Sequence, residues 1–364
     1  MFLARSFTRV MLLLCCLMAP YGAVADQKPY TPAFTDQDGK IIEGSIATME
    51  KVILGGLQQH IIIRGKDRTK PVLLILHGGP GGAHSSFFKL LHGAGLEENF
   101  VVVEWDQRGA GKSYSKELTE EDMRVEHFIT DTIELTNMLR ERFKQEKIFM
   151  LGHSWGSALG FMTIGRVPEL YHAYIGAGEA ADWNKRQQIS YEWTYNKAKA
   201  ANDQTALSEL EAILPFDPTD RADIDVKNKW LSAFGGYFKN EEAYNRRKAY
   251  FGKASELAPG DMEKLIAGSK WSSETTDEEA AHYGYSLFKQ LPKVEIPIYL
   301  FAGRYDYQTP GSLAEEYYNM VDAPKKGFVW FENSGHLMTI SEPDKIAREL
   351  IKISQGILPE EAIK

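Results

Sequence analysis

Residues 147–165 read Lys147-Ile-Phe-Met-Leu151, then Gly152-His153-Ser154-Trp155-Gly156, then a small-residue run from Ser157 to Gly165. A short apolar run, a Gly-x-Ser-x-Gly turn and a helical run are the context of a nucleophile elbow, where a serine sits on a sharp strand-to-helix turn. Such a serine needs a strained backbone so that its hydroxyl projects above a sheet. Glycines flank it because a Cβ on either side would clash. Ser157, Ala158 and Gly160 let the following helix pack closely, and its N-terminus adds partial positive charge beneath the reacting oxygen. Alone, the pentapeptide also suits a glycine-rich turn carrying an incidental serine, so the reading depends on the rest of the chain.

Outward from the elbow, the 364 residues alternate short apolar runs with helical periodicity. Two strands are expected within 44–64, the second over Gln58–Ile63. Further strands are expected at Val72–Leu76, Phe100–Trp105, Lys147–Leu151, Ala173–Gly176, Ile296–Phe301 and Phe328–Phe331. The clearest helix spans 125–143. Apolar strands separated by helices imply an α/β protein with a mostly parallel central sheet covered by helices on both faces. Residues 180–290 break the rhythm. They lack buried-strand runs, look helical and polar, and carry Trp183, Trp193, Trp230 and Trp271 at intervals, which reads as an inserted helical cap. The expected organisation is a catalytic domain of residues 26–179 and 291–364, interrupted by that cap.

The other parts of a hydrolytic site follow in chain order. His77-Gly78-Gly79-Pro80-Gly81-Gly82 comes after the strand Val72–Leu76. Its glycines allow a backbone N–H, that of Gly79, to join the N–H of Trp155 in holding a developing oxyanion. Asp306 follows the strand Ile296–Phe301, and His336 follows Phe328–Phe331. Each stands at the carboxyl end of a parallel strand, where open α/β sheets build their sites. In this arrangement Ser154 attacks, His336 takes and returns its proton, and Asp306 orients the imidazole. Glu179 and Asp182 are the reserve acids. The other eight histidines, His77 and His153 included, read as structural.

The N-terminus reads as an address. Arg5 and Arg9 precede an unbroken apolar run, Val10–Ala19, followed by Pro20, Gly22 and Ala23-Val24-Ala25. That is the pattern of a secretory signal peptide over residues 1–25, cleaved after Ala25. Ten residues span about half of the ~30 Å hydrocarbon core, so no stable membrane anchor is expected. Cleavage would remove both cysteines, Cys15 and Cys16, and move the formal charge from −8 to about −10. The mature protein would then be secreted or periplasmic, with no thiol for nucleophilic or zinc chemistry. An acidic chain has no electrostatic footprint for nucleic acid.

His77-Gly-Gly-Pro-Gly, Asp106-Gln107-Arg108-Gly109-Ala110-Gly111-Lys112-Ser113, Gly152-His-Ser-Trp-Gly-Ser157 and Gly303-Arg-Tyr-Asp306 together resemble the proline iminopeptidase (prolyl aminopeptidase) family of α/β-hydrolases. The resemblance covers roughly 44–178 and 294–345. It implies a catalytic α/β-hydrolase domain, a helical cap over the site, and hydrolysis of small acyl compounds, often peptides with a free N-terminal residue. It also implies acidic cap residues that receive the substrate's ammonium group. The family's Trp-rich cap motif ending in Glu is not recognisable in 180–290, which leaves Glu179, Glu192, Glu241, Glu242 and Glu274 as candidates for substrate binding.

Other signals fall away. Asp106 stands where a phosphate-binding loop needs glycine. Asp36-Gln-Asp38-Gly39 is too short for a calcium loop, and no His-Glu-x-x-His pair occurs. The expectation is a metal-free and cofactor-free serine hydrolase acting on a small-molecule or short-peptide substrate. An aminopeptidase is the first reading, a carboxylesterase the alternative, and a non-catalytic binding protein on the same fold the remote one. The sequence does not specify an oligomeric state.

Overall fold

A computed structural model describes residues 28–83, 95–239, 242, 245, 255–282 and 284–358. The leader reading (1–25) and Glu241 lie outside the described residues. Eight strands, β1 (Ile46–Leu54), β2 (Leu57–Gly65), β3 (Val72–Leu76), β4 (Val101–Asp106), β5 (Ile148–His153), β6 (Tyr171–Ala177), β7 (Ile298–Gly303) and β8 (Lys326–Phe331), form one sheet in the order β1-β2-β4-β3-β5-β6-β7-β8. β1 and β2 pair antiparallel, β2 joins β4 antiparallel, and every later pairing is parallel. Gly55 and Gly56, both at positive φ, make the two-residue β1–β2 turn.

The long helices are α1 (Val125–Phe143), α2 (Trp155–Ile164), α3 (Trp183–Ala201), α4 (Gln204–Ala212), α5 (Arg221–Ala233), α6 (Asp261–His282), α7 (Gly311–Met320) and α8 (Pro343–Gln355). Side-chain alternation along the strands builds two cores. Val72, Leu74 and Leu76 of β3 face Phe128 of α1, Phe161 of α2 and Tyr317 of α7. Leu73 and Ile75 face the opposite layer, with Phe100, Phe149 and Ile346, Leu350 and Ile353 of α8. The expected mostly parallel α/β sheet is therefore the fold. β7 starts two residues later than expected because Pro297 has no N–H to pair. Its carbonyl instead accepts from Tyr174. β8 begins earlier, at Lys326, since Gly327 lets the ring of Tyr299 lie against its backbone.

Between β6 and β7 the described residues form α3 to α6, a short helical turn at Leu287–Gln290, and no strand. Asp182, Asp203 and Asp220 cap α3, α4 and α5 by accepting backbone N–H groups of the first turn. Tyr191, Ala198, Ala206 and Leu210 give these helices a small core of their own. Among the described residues, no helix is long and apolar enough to cross a membrane.

Candidate active site

Ser154 follows β5 and caps the start of α2 with φ 55° and ψ −120°, a positive-φ conformation that is costly for a side chain with a Cβ. The surroundings enforce it. A Cβ on Gly152 would lie 2.3 Å from the carbonyl oxygen of Gly156, and one on Gly156 would lie 2.2 Å from that of Leu76. Two hydrogen bonds anchor the turn: Ser154 N–H donates to Ala177 at 3.0 Å, and the Ser157 hydroxyl donates to the Ser154 carbonyl at 2.6 Å.

Asp306 and His336 come together on the loops after β7 and β8. His336 Nδ1 lies 2.8 Å from Asp306 Oδ2, and both residues are buried. A carboxylate only accepts here, so the proton resides on Nδ1 and Nε2 keeps its lone pair. Asp306 is held in turn. Its Oδ1 accepts the N–H groups of Gln308 and Thr309 at 2.9 Å each, and its Oδ2 accepts the Thr309 hydroxyl at 2.8 Å. The imidazole sits beside the elbow. A Cβ on Gly178, next to the Ala177 that holds Ser154, would lie 3.3 Å from the His336 ring. The ring of His153, adjacent to the serine, is centred 4.9 Å from that of His336. The reserve acid Asp182 caps α3 through Lys185 N–H instead.

His77 and His153 are buried structural groups. Gln107 N–H donates to His77 Nε2 at 3.1 Å, so the proton is on Nδ1, which donates to the Gly78 carbonyl at 2.8 Å. Burial lowers this imidazole to about 4. The Gln107 side chain also donates to the His77 carbonyl at 3.0 Å and accepts the Trp155 indole N–H at 3.0 Å. One glutamine thus joins the glycine-rich loop, its own loop and the elbow, a role that the sequence motif alone did not disclose. His153 donates from Nε2 to the His336 carbonyl at 2.9 Å and is lowered to about 3, first by burial and then by His336.

Arg108 of the Asp-Gln-Arg-Gly loop forms a buried bidentate pair with Asp131, at 2.8 Å and 2.7 Å. Lys112 N–H and the Ser113 hydroxyl turn back onto Asp106. These groups stabilise the loop.

A cavity of about 520 Å³ opens over the elbow. Gly79, Ser154 and Trp155 line it from the sheet side, and Arg186 of α3, Ile224 of α5 and Glu274 of α6 from the helical side. The expected acid Glu179 is placed elsewhere. It is fully buried below the cavity wall, with the Tyr174 hydroxyl 3.2 Å from its carboxylate, and burial raises it to about 8. Glu192 is exposed and accepts from Gln188 one turn away, and Glu242 is exposed. Among the described residues, no group of three His, Cys, Asp or Glu side chains is placed to hold a metal ion.

Residues 71–343 match the family model described as the alpha/beta hydrolase fold. The chain belongs to the α/β-hydrolase family. This hydrolase is 29% identical over 309 residues to the probable aminopeptidase YbaC of Bacillus subtilis, a match covering 84% of this chain and 96% of that protein. It is 24% identical over 321 residues to the proline iminopeptidase of Lactobacillus crispatus, covering 86% and 98%. Among solved structures, it resembles a proline iminopeptidase-related protein from Thermus thermophilus. That similarity has a TM-score of 0.64 at 18% identity, over 86% of this chain and 99% of that one. An esterase from Exiguobacterium antarcticum superposes with a TM-score of 0.56 at 18% identity, over 85% and 99%. The hydrolase is thus proline-iminopeptidase-like in sequence and fold.

Proposed function

We propose that this enzyme is an aminopeptidase on short peptides, using Ser154, His336 and Asp306 through an acyl-enzyme. The 2.8 Å contact between His336 Nδ1 and Asp306 carries the reading, because it leaves Nε2 as the base beside a strained serine. His336 Nε2 takes the Ser154 proton as its oxygen attacks the scissile carbonyl. The N–H groups of Gly79 and Trp155 hold the resulting oxyanion. Collapse breaks the C–N bond, and His336 passes its proton to the departing amine. Water then loses a proton to His336, attacks the acyl group and releases the acid, and the proton returns to Ser154.

The family membership and the aminopeptidase relatives support a peptide substrate. The test compares alanyl and prolyl arylamides with their N-acylated forms and with p-nitrophenyl esters. Turnover of the free amines, lost on acylation and absent in Ser154→Ala, is the expected result. Turnover of esters alone would make it a carboxylesterase. A wild type with no turnover and no fluorophosphonate labelling would leave only a binding role. The leader pattern of residues 1–25 supports export to a secreted or periplasmic location. N-terminal sequencing of the exported protein should then begin at Asp26.

A further inference from the structure

Among the described residues, four charged side chains line the cavity over Ser154: Arg186, Asp220, Arg221 and Glu274. Three of them belong to the surface. Asp220 caps α5, Arg221 pairs with Asp225 at 3.0 Å, and Glu274 lies 3.9 Å from Lys270. Arg186 differs, being only 6% exposed although it forms part of the cavity wall. Its guanidinium carbon sits 4.0 Å from the centre of the Trp183 ring, which holds the charged group against the indole. Its Nη1 reaches the Gln308 carbonyl at 3.4 Å. Gln308 N–H donates to Asp306, and Asp306 holds His336, so two residues separate this cation from the catalytic base.

We propose that Arg186 receives the free carboxylate of the substrate and makes this enzyme selective for dipeptides. The inference rests on the aminopeptidase reading and names its substrate class. A planar guanidinium presents N–H donors in a fork matched to a carboxylate, and stacking on Trp183 lowers the ordering cost of that contact. Placement beside the Asp306 loop puts the anion close to the scissile bond. In a dipeptide the C-terminal carboxylate is one residue beyond that bond. A cavity of about 520 Å³ accommodates such a ligand, and the selectivity comes from the carboxylate contact itself.

The test uses the full chain carrying Ser154→Ala, titrated calorimetrically with L-alanyl-L-alanine and with its C-terminal amide. A charge-assisted contact implies at least a ~10-fold tighter Kd for the free carboxylate. Adding Arg186→Met should bring the two Kd values within about two-fold, and Arg186→Lys should retain part of the difference. Equal Kd values in the Ser154→Ala protein, or an equal loss for both ligands on Arg186→Met, would overturn the proposal. A preserved carboxylate preference with no peptide turnover by the wild type would instead overturn the aminopeptidase reading alone. In the wild type, the same preference should appear in kcat/KM, chiefly through KM.

Discussion

The backbone N–H of His336 donates to the carbonyl of Tyr237, 2.9 Å away, across the boundary between the helical insertion and the sheet. The Tyr237 ring also packs against the imidazole, with centroids 5.0 Å apart. The preceding residue, Gly236, accepts the N–H of Tyr307 at 2.9 Å, and Tyr307 stacks on Trp193 of α3 at 4.1 Å. A strap of the insertion therefore holds the Asp306 loop and the His336 loop together.

In the proposed mechanism Tyr237 is accordingly a positioning residue for His336. A Cβ on Gly335 would lie 2.5 Å from the Tyr237 carbonyl oxygen, so Gly335→Ala must displace the base. Misplacement on that scale lowers kcat about 100-fold with little change in KM. Tyr237→Ala should lower kcat about 10-fold and alter the pH profile of kcat, while Tyr237→Phe should restore both. Steady-state kinetics across pH checks this. A change confined to KM would show that the strap shapes only the cavity.

The elbow glycines should separate folding from chemistry. Gly152→Ala places its Cβ against backbone 2.3 Å away, and soluble folded protein should be lost. Gly78→Ala meets the Ser154 Cβ at 2.9 Å, His153 Nδ1 at 3.1 Å and the His153 carbonyl oxygen at 3.2 Å, a smaller overlap than at Gly152 that falls directly on the serine. That variant should fold and lose at least ~10-fold in kcat. Thermal melts and kinetics on the two proteins distinguish the outcomes.

Asp131→Asn removes the charge opposite Arg108 while keeping the shape. Both side chains are almost completely buried, at 0% and 2% exposure. An uncompensated guanidinium there should cost about 3–5 kcal/mol of stability. Chemical denaturation measures it, and a loss below about 1 kcal/mol would show that the loop relaxes to solvate Arg108.

Glu179 couples stability to pH. Its carboxyl is raised from 4.5 to about 8 by burial, so the folded state holds a proton that the unfolded chain releases. Its contribution is fully present below pH 4.5 and is lost as pH rises through about 8, at roughly 1.4 kcal/mol per pH unit in between. Glu179→Gln lacks that titration. Its stability relative to wild type should rise steadily from pH 5 to pH 8 and then level off. Denaturation curves at each pH give the difference, and a flat difference would mean that Glu179 does not titrate on unfolding.

Much of the fold was legible because its signals are local. β3 lies at Val72–Leu76, as the apolar run indicates, and the turn after β5 requires the glycines that surround Ser154. Glu179 was less legible. Its place just after β6 suggests an acid facing the site, yet the side chain turns back beneath the wall toward Tyr174, an orientation set by packing. Gln107 stood in a legible motif without its role, and Arg186 and Tyr237 had no distinguishing signal, since each acts through partners distant in the chain.

The sequence by itself determined the alternating α/β pattern, the strained elbow and the chain order of Ser154, Asp306 and His336, because periodicity and turn geometry are written in neighbouring residues. Only the tertiary structure decided which acid orients the histidine. Asp182 and Asp306 both follow strands, but Asp182 caps α3 while the turn at Gln308 and Thr309 aims Asp306 at His336. It also set a buried cation, Arg186, in the wall of the cavity that Ser154 lines. Hydrogen bonding and burial depend on distances through space, which separation along the chain does not specify.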